Sequence, residues 1–352
     1  MTLADHLIRR ITATGPIALA DYMAEALLHP TMGYYTTRDP LGVTGDFTTA
    51  PEISQMFGEL IGLSLAQAWL DQGSPKAITL AELGPGRGTC MADILRATRA
   101  VPGFHDAAQV VLVEASPTLR RMQAETLKDA NPIWADTAND LPEAPLFLIA
   151  NEFFDALPIR QFQRAGGGWR ERMVGMQDGA LALGLGPASP QPALSHRIQD
   201  TKDGDIVEDC PAAAPIIDTL SDRIDRFGGA ALIIDYGDWR SLGDTLQALR
   251  DHQPVDPLDA PGTADLTAHV DFEALTKAAR CPFSRVTPQG VFLERLGITA
   301  RAQALAKGLR GSALDAHISA HRRLTHPEEM GNLFKVLSLF PKGAAPPPGL
   351  ET

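Results

Sequence analysis

The chain has 352 residues, 44% hydrophobic and 21% charged, with a formal net charge of −12. That length allows one elaborated domain or two, and the acidic balance argues against a general nucleic-acid binder, which is normally basic. Cys90, Cys210 and Cys281 are scattered without C-x-x-C spacing, which excludes a disulfide framework and a cysteine-only zinc ribbon.

In chain order, residues 3–13 and 17–29 carry helical periodicity, broken at Gly15-Pro16. This stretch reads as neither a signal nor a transit peptide, and no segment reaches membrane-span length, so a soluble cytoplasmic protein is expected. Residues 31–51 are rich in Gly, Thr and Pro and are predicted to be a loop, followed by a long helix from Glu52. A loop of that length with two tyrosines and a phenylalanine is expected to be functional.

From Ala77 short apolar runs alternate with helical segments. "AITLAEL", "AQVVLVEAS", "PIWAD", "PLFLIANEF" and "GGAALIIDYG" read as five strands, with "TCMADILRATRA" and "PTLRRMQAETLKD" as helices between the first three. Strand alternating with helix predicts an α/β fold whose parallel sheet carries helices on both faces. Between the fourth and fifth strands, alternation around "AGGGW" and a turn at "QDGA" predict hairpins, followed by a helix near 215–226. Residues 240–268 read as irregular, "VDFEALTKAARC" and 297–324 as helical, and "GNLFKVLSLF" as a strand. The proline-rich tail from Pro341 is expected to be flexible. The predicted organisation is residues 1–74 as N-terminal helices and lid loop, and 75–341 as the catalytic domain. That domain would carry a hairpin insertion near 160–185 and a helical insertion near 295–325, with 342–352 a flexible tail.

The first strand runs into Gly84-Pro85-Gly86-Arg87-Gly88 and then a helix, with Glu82 two residues before the first glycine. Glycines let the backbone approach a ligand, and a helix N-terminus offers unpaired N–H groups. A dinucleotide fingerprint would want a third glycine where Thr89 stands, which disfavours an NAD-dependent oxidoreductase, and no Walker lysine is present. The turn is similar to the S-adenosylmethionine (SAM) turn of class I methyltransferases, where a strand-end carboxylate can receive the cofactor's ammonium. Glu114, at the tip of the second strand, is placed to accept ribose hydroxyls, and Asp136, at the third, to meet the adenine amino group. The plainer reading makes Asp136 a surface residue. The histidines form no H-E-x-x-H, and His317 with His321 lacks a third local ligand, so no metal site is predicted.

The fourth strand ends in Asn151-Glu152-Phe153-Phe154-Asp155. Two carboxylates at the tip of a core strand are costly to desolvate without partners. In class I methyltransferases this tip faces the acceptor, and amine-directed members often place Asn/Asp-Pro-Pro-Tyr/Phe there. Asn151 and Phe154 match the outer positions, while Glu152 and Phe153 replace the prolines. Glu152 and Asp155 would suit a cationic acceptor such as a guanidinium, held by paired hydrogen bonds. The competing reading pairs one acid with Arg160 or Arg164 and uses the other as a helix cap. Asp235, at the end of the fifth strand, reads as either a site residue or a turn former, with the turn former favoured.

"GYYTTRDPLGVTGDFTTAPEISQMFGELIG", "ELGPGRGT", "NEFFDALPIRQF" and "EEMGNLFKVL" together strongly resemble the MidA family of SAM-dependent methyltransferases, over about residues 5–340. The resemblance implies a seven-stranded class I methyltransferase fold with N-terminal helical and internal insertions. It also implies protein-arginine methylation on a subunit of respiratory complex I. It makes the loop at 31–51 a lid over cofactor and acceptor, with Asp46 a candidate catalytic residue. The rival readings are that Asp46 and Glu52 only fix the loop, that the protein is a SAM-binding assembly chaperone, or that it methylates a small amine.

Overall fold

A computed structural model describes residues 2–37 and 48–352. The predicted lid residues Gly45, Asp46 and Phe47 fall outside the described residues. The chain forms two compact units, each assembled from separated segments. One comprises Met1–Phe47, Asp155–Ala213 and Arg240–Asp271, the other Thr48–Phe154, Ala214–Trp239 and Phe272–Thr352. The boundary expected near residue 74 is therefore corrected: the helix Gln55–Asp71 belongs with the sheet, because its apolar face is part of the sheet unit's core.

In the first unit the helix Leu3–Thr14 starts at Thr2, whose hydroxyl accepts the Asp5 N–H while the Asp5 carboxylate accepts the Thr2 N–H. This reciprocal capping satisfies two donors that a helix start leaves open. The predicted hairpins are present as antiparallel strands Arg160–Ala165, Gly168–Gln177 and Ala180–Ser189, joined by Ile206–Asp209. Residues 240–268, expected to be irregular, instead hold short antiparallel strands at Gln247–Arg250, Gln253–Pro254 and Asp265–Thr267. Runs this short carry no readable alternation, and Pro254 argued against strand.

The second unit carries the predicted sheet. Its strands are β1 (Ile78–Leu83), β2 (Ala108–Val113), β3 (Ile133–Ala135), β4 (Leu146–Asn151), β5 (Gly229–Asp238), β6 (Thr287–Pro288) and β7 (Phe334–Leu339). They form the path β3-β2-β1-β4-β5-β7-β6, and an eighth strand lies off this path, one more than the seven strands the resemblance implies. β7 runs antiparallel to both of its neighbours, and the remaining pairs on the path are parallel. Phe57, Ile61 and Leu65 of the helix Gln55–Asp71 share a buried cluster with Leu80, Phe147, Ile149, Leu232 and Ile234 of the sheet. Each fully buried side chain of this kind is worth about 1.5–3 kcal/mol of transfer free energy.

Two expectations in this unit change. The helix predicted from Glu52 is broken at Ser54, whose extended backbone ends a short helix Ala50–Ile53 and whose hydroxyl caps Gln55–Asp71. The tail is packed rather than flexible. Leu350 is buried in the core cluster, Ser64 Oγ donates to the Pro348 carbonyl at 2.9 Å, and Arg285 N donates to the Glu351 carbonyl at 2.8 Å.

Candidate functional site

Register brings the predicted residues to one edge of the sheet. Leu83 lies level with Val113 and Ala150, Val113 with Ala135, and Asn151 with Ile234. Gly84, Glu114, Asp136 and Glu152 therefore leave the carboxyl ends of neighbouring strands, and Asp235 follows the last residue of β5 that pairs with β4. Strand order reverses between β1 and β4, and this is where open α/β sheets bind ligands.

Gly84, Gly86 and Gly88 have φ values of 59°, 53° and 81°, a left-handed region that L side chains rarely adopt. A Cβ on Gly84 would lie 2.9 Å from Phe153 Cδ2, so the turn abuts the tip of β4. Gly88 caps the helix Thr89–Thr98. Thr89, standing where a dinucleotide site wants glycine, donates its hydroxyl to Glu52 Oε1 at 2.6 Å. Glu52 thereby ties the short helix Ala50–Ile53 to the turn.

Glu82 is buried, and desolvation pushes its carboxyl up to about 8 despite hydrogen bonds from the Met91 N–H and the Cys90 thiol. Its Oε2 has no hydrogen-bond partner. A buried unpartnered acceptor beside a glycine turn fits the ammonium of SAM. Glu114 is held from two sides: Oε1 accepts the Ser116 N–H at 2.7 Å and Oε2 accepts Gln123 Nε2 at 3.2 Å. Burial raises its pKa as well. Asp136 is exposed and accepts Arg120 Nη2 at 2.6 Å, while Arg120 Nε donates to the Glu114 carbonyl at 2.7 Å.

Gln123 was missed in the sequence. It is fully buried, donates to the Gly86 carbonyl at 2.8 Å, and accepts the Trp134 indole N–H at 2.8 Å. Its helix, Pro117–Thr126, is polar along most of its length, so one buried glutamine left no signal there.

At the tip of β4, Asn151 Nδ2 donates to Glu152 Oε1 at 2.9 Å, and the buried Asn151 Oδ1 has no partner. Glu152 adopts φ +51°, unusual for a residue other than glycine, and Oε1 also accepts the Ala50 N–H at 2.9 Å. Desolvation raises its carboxyl to about 7, against those hydrogen bonds and the Arg323 charge. Asp235 is fully buried, and its Oδ2 accepts the N–H groups of Phe153 at 3.2 Å and Phe154 at 2.9 Å. It lies within β5, paired with Lys335 of β7, and ties down the tip of β4 instead of turning its own strand. Asp155 belongs to the first unit, where desolvation raises the phenol of Tyr35 and the charges of Asp265 and Asp155 add to the rise. The structure thus gathers Asn151 and Glu152 beside the glycine turn and assigns Asp155 to the other unit.

The sequence model of the S-adenosyl-L-methionine-dependent methyltransferase family matches residues 60–288. The chain belongs to the MidA family of SAM-dependent methyltransferases. Its cofactor is SAM, and the glycine turn with the orphaned Glu82 oxygen fits that cofactor. Among MidA relatives, the chain is 40% identical over 371 residues to the protein arginine methyltransferase NDUFAF7, mitochondrial, of Xenopus laevis, covering 96% of this chain and 84% of that one. The human protein of the same name is 40% identical over 367 residues, covering 96% and 82%. A crystal structure from Burkholderia thailandensis, bound to S-adenosyl-homocysteine, superposes with a TM-score of 0.84 at 29% identity, covering 99% and 93%. The mitochondrial names of the relatives overturn the cytoplasmic expectation. A compartment is commonly written in a removable leader, so composition was a poor guide to it. No described helix is long and apolar enough to cross a membrane.

Proposed function

We propose that this MidA methyltransferase methylates an arginine side chain of a protein, as the names of its relatives say of them, with a respiratory complex I subunit as the acceptor the family resemblance favours. The observation that carries the reading is the pair of acceptors at the tip of β4: the Glu152 carboxylate and the orphaned Asn151 Oδ1. Both suit the N–H groups of a guanidinium, which stays protonated in water. Asp155 and Asp46 remain candidates for further contact with the acceptor.

On the cofactor side, Glu82 would receive the ammonium, Glu114 the ribose hydroxyls, and Asp136 the adenine edge, while Gly84, Gly86 and Gly88 would let the backbone pass close. SAM supplies an electrophilic methyl group on a sulfonium. Glu152 and Asn151 hold the guanidinium so that one nitrogen lone pair points at that methyl group. Alignment of this kind supplies much of the acceleration of an in-line displacement. With the methyl group passing from the sulfonium to that nitrogen, Glu152 would take the proton that the methylated nitrogen sheds. An ionisation near 7 suits an acid–base role at neutral pH.

The test is incubation with methyl-labelled SAM and complex I subunits, followed by peptide mapping. Label on arginine is expected. Absence of label on any arginine, with SAM binding intact by calorimetry, overturns the proposal.

A further inference from the structure

The first unit carries a cluster that has no role in methyl transfer. His6 lies on the helix Leu3–Thr14, Glu25 in the last turn of the helix Leu19–Leu28, and His29 is that helix's C-cap. The spacing of Glu25 and His29, i and i+4, puts both on one helix face. One ligand atom from each of the three side chains lies within 4.8 Å of the others, and His6 Nε2 is 3.9 Å from Glu25 Oε2. The two imidazoles meet edge-on, with ring centroids 5.4 Å apart.

We propose that His6, Glu25 and His29 bind a divalent transition-metal ion of the zinc class. Two imidazoles and one carboxylate are a zinc donor set that leaves a fourth position to water. Two such ligands around one ion stand about 3.4 Å apart at tetrahedral geometry, so small side-chain rotations close the site. Arg10 Nη1 donates to Glu25 Oε1 at 3.1 Å, leaving Oε2 on the side of His6. A partner behind a ligand commonly holds it for a metal in this way. His29 Nδ1 accepts the Thr31 N–H at 3.3 Å, a bond the ring exchanges for the ion when it binds through either nitrogen. The bound ion would clip the first helix to the end of the second. The spacing His6-x18-Glu25-x3-His29 matches no familiar motif, because the first ligand arrives from a separate helix.

Zinc chloride titrated into the full chain in a calorimeter should show one site. His6→Ala and His29→Asn should each weaken it at least tenfold, while SAM binding by the same variants, which reports a folded chain, stays within twofold. Cobalt chloride should give visible bands of a nitrogen–oxygen site without the near-ultraviolet thiolate band that Cys210 or another cysteine would produce. A stoichiometry of zero, zinc affinity unchanged in both histidine variants, or a thiolate band would each overturn the proposal.

Discussion

Gln123 and Glu114 are joined by a single hydrogen bond of 3.2 Å, and the same Gln123 nitrogen donates to the Gly86 carbonyl at 2.8 Å. One buried amide thus links the glycine turn after β1 to the carboxylate after β2, and Trp134 holds the amide from the far side. The two cofactor-facing elements are positioned by a residue that need not touch the cofactor.

Gln123→Ala should therefore weaken SAM binding about tenfold while leaving the fold cooperative. A buried donor or acceptor deprived of its partner costs about 1–3 kcal/mol, and here the Trp134 indole, the Gly86 carbonyl and one Glu114 oxygen each lose the Gln123 amide. Calorimetry with SAM reads the affinity, and thermal unfolding reads the stability.

Glu82 sets a pH dependence. Its carboxyl rises from an ordinary 4.5 to about 8 in the folded chain, so between those values the folded state holds a proton that the unfolded state has lost. Without cofactor, this group's contribution to stability is full below pH 4.5 and declines as pH rises toward 8, at most by about 1.4 kcal/mol per pH unit. Glu82→Gln should flatten that decline in thermal-shift measurements across pH. The same change should weaken SAM binding at least tenfold, and wild-type affinity should rise with pH below neutrality as the ammonium displaces the proton.

Glu152 should leave its mark on the rate. To hold a guanidinium it must be ionised, and burial lifts its carboxyl to about 7. Initial rates at subsaturating protein acceptor should rise with pH through about 7 and then level. Glu152→Gln should lower kcat/KM by roughly a hundredfold and abolish that limb, with SAM affinity little changed. A Gln variant that keeps the limb would remove Glu152 from the acceptor site.

Helix packing offers a stability test. A Cβ on Gly62 would lie 2.9 Å from the Ile94 Cα, where the helix Gln55–Asp71 meets Thr89–Thr98. Gly62→Ala must push backbone against backbone, and should destabilise by about 1–3 kcal/mol. Gly308→Ala, with nothing within 4 Å of the added carbon, should lie within about 0.5 kcal/mol of wild type. Denaturant unfolding of the two variants makes the comparison.

What could be read in advance follows from the range of the interactions involved. The strands of the sheet are continuous apolar runs because parallel strands are buried on both faces, and Gly84 through Gly88 announce a turn by their backbone alone. Asp235 was read as ending its strand, whereas it lies within β5 and accepts the Phe153 and Phe154 N–H groups of another segment. Gln123 was not legible, since its meaning depends on Glu114, Gly86 and Trp134 arriving from three other segments. The tail misled for the same reason: "PKGAAPPPGLET" reads as loose until Leu350 finds its place in the core. Ser54 was a local signal overlooked, a helix cap inside an apparently unbroken apolar period.

The interleaving of the two units has a consequence for synthesis. The first unit cannot close until Arg240–Asp271 has left the ribosome, and the sheet of the second waits for β7, the last strand in the chain. Along Ala231–Tyr236, β5 finds its antiparallel neighbour only when β7 arrives, so that flank of a nearly all-apolar strand stands open until then. Such unpaired edges invite aggregation of nascent chains. The ordered tail follows β7 directly, so it docks on the second unit only after that strand has emerged.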